Sequence, residues 1–182
     1  ALLAAEPDVA LWRTGASYRE ARFGMDWADA LKRRYGRGRW CVTVDADELL
    51  IYPHHDTRPL PALTAWLDDR TRQSFSALLL DLYPGPEDPP GDTPLGRSRW
   101  FDGGNYRAQA DSAYGNDWIQ GGPRERVFFS ETPEAAPALN KIPLVKWQRG
   151  YAYVSSTHHL LPRGLNRRVE IGPTGVLLHT KF

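Results

Sequence analysis

The 182-residue chain is long enough for one domain with a sizeable core and too short for two full ones. Its 23 Lys and Arg residues balance 22 Asp and Glu, so the net charge of +1 gives no electrostatic case for nucleic acid or an anionic membrane. The lone Cys41 cannot form an intramolecular disulfide, which fits a reducing compartment, and no run of about eighteen apolar residues is present to span a bilayer.

The opening "ALLAAEPDVALW" lacks an initiator Met and a basic-then-apolar leader pattern, so the chain reads as a fragment. "ALLAAE" reads as a helix tail and Asp8 to Trp12 as a short strand. In "GMDWADALKRRYG", Met25, Trp27, Ala28, Leu31 and Tyr35 recur at helical spacing and Gly36 stands ready to end the turn, which predicts a helix over Asp26–Tyr35. Trp40 to Val44 then read as a mostly buried strand running straight into Asp45, Asp47 and Glu48. A helix feeding a strand in this way reads as the second half of a βαβ unit. Pro59 to Arg72 carries Leu60, Leu63, Trp66 and Leu67 on one face and predicts a second helix. "SFSALLLDLYP" reads as a strand ending at Tyr83.

Five prolines and three glycines fall within the thirteen residues of "PGPEDPPGDTPLG", which no regular element can traverse. Arg99 to Gly122 reads as irregular, aromatic, site-bearing loop. "RERVFFS", "IPLVKW", "YAYVSSTH" and "GVLLHTKF" read as short β-like runs. The expectation is a single α/β domain over 1–182 with a mixed sheet flanked by helices. It divides into a βαβ-type part over 1–83, a loop region over 84–122 and a β-rich part over 123–182.

The acids after Val44 call for a physical reason, because burying an unpaired carboxylate costs several kcal/mol. Asp45 and Asp47 are therefore solvated as turn-forming acids, paired with bases, or neutralised by a cation. On an extended backbone they would diverge, but at a strand's end the chain can turn and bring both to one pocket. Hard oxygen ligands of this kind suit Mg²⁺ or Mn²⁺, which retain waters and take further ligands from a substrate diphosphate.

"WCVTVDADELLIYP", preceded by "SYREARFGMDW" and followed by "GGPRERVFF", "NKIPLVKW", "STHHL" and "VLLHTKF", resembles the glycosyltransferase family 2-like group of bacterial enzymes with the GT-A fold. The resemblance rests on the order of these motifs and covers most of the chain. It implies a Rossmann-related GT-A-like fold lacking part of its N-terminal nucleotide-binding half. It also implies a D-x-D motif that holds Mn²⁺ or Mg²⁺ against a nucleotide-diphosphate sugar, most often a UDP-sugar. Asp47 then matches the metal-binding acid and Asp45 the acid at the ribose or a metal-bound water. His179, on its own a satisfied core histidine, matches a late metal ligand, and Lys181, two residues on along the same strand face, matches a phosphate contact. Glu48 reads as a helix-start or solvent-facing acid, or as support for the ligands.

Arg124 and Arg126 alternate onto one face of a β-like run, as solvated charge or as a grip on phosphate. Gly121 and Gly122 make either a turn or a close approach to ligand. A general base is expected from Asp117 or Glu125. His54, His55 and His159 read as structural, with His158 the better site candidate. The seven Trp and eight Tyr serve either core packing or stacking on sugars.

The function expected from the resemblance is metal-dependent hexosyl transfer in polysaccharide biosynthesis. The acceptor would be a carbohydrate or lipid-linked glycan, and the location the cytoplasm at the inner membrane face. The alternatives are a haloacid-dehalogenase-like phosphatase, whose nucleophile would be Asp45 but whose motif departs at Leu49, and a non-catalytic carbohydrate-binding domain.

Overall fold

The computed structural model describes residues 2–86, 91–166 and 174–180. A five-stranded mixed sheet forms its centre, built from β1 (Trp40–Val42), β2 (Glu48–Ile51), β3 (Ser74–Asp81), β6 (Asn140–Lys146) and β9 (Gly175–His179) in the order β1-β6-β3-β9-β2. Only β3 and β9 run parallel; every other neighbouring pair is antiparallel. A hairpin of β4 (Tyr106–Asp111) and β5 (Asn116–Gly121) and a small ribbon of β7 (Ala152–Ser155) and β8 (His159–Leu161) complete the strands. The helices are α1 (Met25–Tyr35), α2 (Leu60–Asp69), the single turn α3 (Pro94–Arg97) and α4 (Gly122–Phe128). The α/β class with a mixed sheet agrees with the sequence reading.

Helix α2 buries Leu63 and Leu67 against Phe75 of β3 and Leu144 of β6. The opposite side of β6 packs Ile142 and Val145 with Met25 of α1, Trp147, Tyr153 and Leu160. Residues three apart share a face there because the β3–β6 register shifts between Phe75 and Ala77. The extra residue falls on β6 around Pro143, a position where a bulge dispenses with the missing N–H. A third cluster joins Ala77, Leu79 and Leu177 of the sheet to Ile119 of the hairpin and Leu139.

Helix α1 turns a different stripe inward from the apolar one anticipated: Met25, Asp29 and Lys32 are buried, while Tyr35 is half exposed. Asp29, wholly buried, accepts the Tyr153 backbone N–H at 3.1 Å and lies 3.5 Å from Lys32 Nζ, whose ammonium sits 4.1 Å from the Tyr153 ring centroid. A buried ion pair under two aromatic rings thus replaces part of the expected apolar contact.

Five further expectations are corrected. Residues 8–12 form no strand. Strand β1 is a short edge strand with Val42 and Val44 exposed, because it pairs on one side only. It pairs antiparallel with β6, so α1–β1 is not half of a βαβ unit. The span 99–122 holds the β4–β5 hairpin, whose strands carry few alternating apolar residues to announce it. "RERVFF" lies largely in helix α4, started by Pro123 in its first turn.

Strands β1 and β2 occupy opposite edges of the sheet yet are joined by only Thr43–Asp47. This loop passes over the carboxyl ends of β3 and β9 and the start of β6: Thr43 N–H donates to the Pro143 carbonyl at 2.8 Å, and Thr180 N–H to the Asp47 carbonyl at 3.0 Å. The carboxyl ends of sheet strands are where α/β proteins place ligands.

Candidate active site

An open cleft of about 410 Å³ lies under this loop, lined by Asp45, Glu48, Leu79, Arg124, Lys141 and His179 together with Phe128 and Phe129. Four segments converge there: the acidic loop, the end of β3, the start of β6 and the end of β9, with α4 as a lateral wall.

His179 is the centre of the cluster. It faces Asp81 as register partner in the parallel β3–β9 pair, and its Nδ1 lies 2.6 Å from Asp81 Oδ1. The carboxylate accepts only, so Nδ1 carries the proton. The other ring nitrogen, Nε2, lies 3.4 Å from Asp47 Oδ2, and Asp47 is over a third exposed. Asp81 is almost fully buried and receives a two-pronged Arg124 guanidinium as well, at 2.7 and 2.6 Å. Burial would raise the Asp81 carboxyl, but the bonds from His179 and Arg124 outweigh it and hold it below the ordinary carboxylate value.

Glu48 opens β2 with a buried carboxylate. One oxygen lies 3.2 Å from Lys141 Nζ, itself buried, and the other accepts the Asp45 backbone N–H at 3.1 Å. The solvent-facing reading of Glu48 is therefore corrected: it pins the acidic turn to β6. Asp45, exposed at the cleft, has no side-chain partner among the described residues.

The two arginines of α4 diverge instead of sharing a face, because a helix turns residues two apart to different sides. Arg124 enters the cleft, whereas Arg126 is half exposed and binds Asp102 at 2.9 and 3.0 Å. Of the expected bases, Asp117 is buried within β5, and Glu125 is held by Arg107 at 2.5 Å; neither lines the cleft. Gly121 and Gly122 make the turn from hairpin to helix, and a Cβ on Gly121 would stand 2.1 Å from the Asn105 carbonyl oxygen. His158 is partly buried with Nδ1 2.5 Å from the Asn140 carbonyl, and desolvation of its ring, with the nearby Lys141 charge, pushes it down to about 4. His159 stacks between Tyr114 and Trp118 with Nε2 3.0 Å from Asp111. His54 and His55 are exposed, and Lys181 lies outside the described residues.

Sequence reasoning missed Asp81, although "LLLDLY" carries the same signal as the acids after β1: a carboxylate in an apolar strand requires partners. Lys141 was missed likewise.

Among the described residues no group of three His, Cys, Asp or Glu side chains stands close enough to hold an ion by itself. Asp47 and His179 offer two donors, with Asp45 nearby on the same loop. That set suits a cation whose remaining ligands are water and a substrate's oxygens, and an imidazole backed by a carboxylate is the usual arrangement of a metal-ligating histidine. No family model, curated protein or solved structure matches this chain.

Proposed function

We propose that the chain is the catalytic region of a metal-dependent glycosyltransferase that uses a nucleotide-diphosphate sugar. The observation that carries this reading is the Asp47–His179–Asp81 relay at the mouth of an open, acid-rimmed cleft at the carboxyl ends of the sheet strands. Asp47 and His179, with Asp45, would hold Mn²⁺ or Mg²⁺. When bound, such an ion neutralises the diphosphate leaving group and helps it depart.

The chain's own residues set the stage for this. Asp81 fixes the His179 ring so that Nε2 points to Asp47. Glu48 and Lys141 fix the backbone of the turn that presents Asp45. Arg124 compensates the Asp81 charge, so the acids that remain uncompensated by bases are those of the D-x-D loop. The GT-A-like arrangement, the UDP-sugar donor, a glycan or lipid-linked acceptor and a cytoplasmic site at the membrane face belong to the same proposal.

The test is a melting experiment with Mn²⁺, with and without UDP. A ligand that binds only the folded state at about a hundred times its Kd stabilises by about 2.7 kcal/mol. The expected result is a rise that requires both components and vanishes in Asp47→Ala. No rise in the unaltered protein overturns the reading. Turnover of a simple phosphomonoester would favour the phosphatase, and sugar binding indifferent to Asp47→Ala the binding module.

A further inference from the structure

At the far end of β6 from the acidic cleft, the chain leaves the strand through Trp147, Gln148, Arg149 and Gly150. These residues enclose, with Arg33 and Arg37 from the carboxyl end of α1, a pocket of about 310 Å³. Six residues of strand, about 20 Å, separate Trp147 from Lys141, so this pocket is distinct from the cleft. The overall net charge of +1 conceals it, because "KRRYGRGR" concentrates cations at one corner of the fold.

We propose that this arginine-lined pocket binds a phosphate group. Arg37 and Arg149 are exposed and form no ion pair with any described residue. Arg33 has a carboxylate only at 3.9 Å, that of Asp29, which also serves Lys32 and Arg22. The dipole of α1 accounts for an arginine in its last turn, but not for Arg149, which reaches the same pocket from a separate loop.

Trp147 lines the same pocket. Its side chain is fully buried, yet its indole Nε1–H has no hydrogen-bond partner. The ring thus backs the pocket wall without surface of its own, so it reports on what fills the pocket without itself meeting the ligand. The three guanidiniums carry positive charge and only donate, which fits an acceptor-only, multiply charged phosphate and disfavours a cation. The same chemistry is presented by a soluble phosphorylated compound and by a phospholipid headgroup.

Calorimetric titration with inorganic phosphate and with pyrophosphate, run beside co-sedimentation with phosphatidylcholine vesicles containing phosphatidic acid, tests the proposal and separates the two sources. Binding of free phosphate alone points to a soluble compound, and vesicle binding competed by phosphate points to a headgroup. In either case the indole ¹⁵N–¹H resonance of Trp147 moves on saturation. The double variant Arg37→Gln/Arg149→Gln binds at least about tenfold more weakly, with an unchanged melting temperature in phosphate-free buffer, whereas Asp47→Ala binds as the unaltered protein does. Equal affinity in the double variant, an unmoved Trp147 resonance, or no binding of phosphate, pyrophosphate or vesicles overturns it.

Discussion

Asp81 Oδ1 and His179 Nδ1 stand 2.6 Å apart as facing residues at the ends of the parallel β3–β9 pair of the central sheet. Ninety-eight residues of chain separate them, and the parallel register alone puts both on the same face. The pair ties the stability of the sheet to the orientation of the imidazole in the cleft.

Asp81→Asn therefore has two effects. It leaves the Arg124 guanidinium, only 15% exposed, without its counter-charge, and breaking a buried pair in this way costs about 3 kcal/mol. It also replaces an acceptor-only carboxylate by an amide whose NH2 can donate to Nδ1, so the His179 proton is no longer held on that nitrogen. Urea denaturation should register the loss. Any Mn²⁺–UDP stabilisation measured under the proposed function should shrink even at temperatures where the variant is folded.

The Glu48–Lys141 pair invites a double-mutant cycle. Lys141→Met strands a buried carboxylate and should destabilise by about 3 kcal/mol. Adding Glu48→Gln should recover a large part of that, because the stranded charge is gone. Strictly additive effects in denaturant titrations would mean that the two side chains do not interact.

His158 gives the protein an acid-sensitive element. Its folded value of about 4 lies below the ordinary 6.5, chiefly because burial disfavours the imidazolium. A depressed folded value means that the unfolded chain binds more protons between these limits. The contribution is thus fully present above pH 6.5 and is lost as pH falls through 4, to the order of 3 kcal/mol. His158→Gln should flatten the stability profile over that window and leave it unchanged above pH 7.

Two hairpin glycines should respond differently to alanine. Gly121 has φ 135° and no room for a Cβ against Asn105, so Gly121→Ala should cost more than about 3 kcal/mol. Gly115, with φ 79° at the tip of the same hairpin, has open space around it, and Gly115→Ala should cost only about 1–2 kcal/mol. Thermal melts of the two variants rank them directly.

The elements that cover the sheet were legible because their patterns are dictated by burial. Leu63 and Leu67 of α2, the alternating Phe75, Ala77 and Leu79 of β3, and Leu177 of β9 all repeat at the period of the element that carries them. The β4–β5 hairpin was not, since "RAQAD" is largely exposed and owes its strand conformation to pairing. Helix α4 was hidden by the β-forming Val127 and Phe128, both exposed, while the signal that fixes it is the Gly-Gly-Pro turn ahead of it.

In the candidate site, Asp45, Asp47 and His179 could be named from sequence because an acid or a histidine in an apolar setting stands out. Their supports could not. Which base meets Asp81 or Glu48 depends on Arg124 and Lys141 arriving from distant segments, and local sequence carries no record of that.

The route of Thr43–Asp47 has a mechanical consequence. Four inter-strand spacings separate β1 from β2 in sheet order, about 19 Å if laid flat, and six residue steps reach only about 20 Å when taut. Since the chain turns at Ala46 and Asp47 instead of running straight, the two rims of the curled sheet are drawn toward each other. The acidic loop is therefore a drawstring whatever it binds: lengthening it would let the rims part and move Asp45 and Asp47 away from His179, whereas cutting it should release both outer strands together.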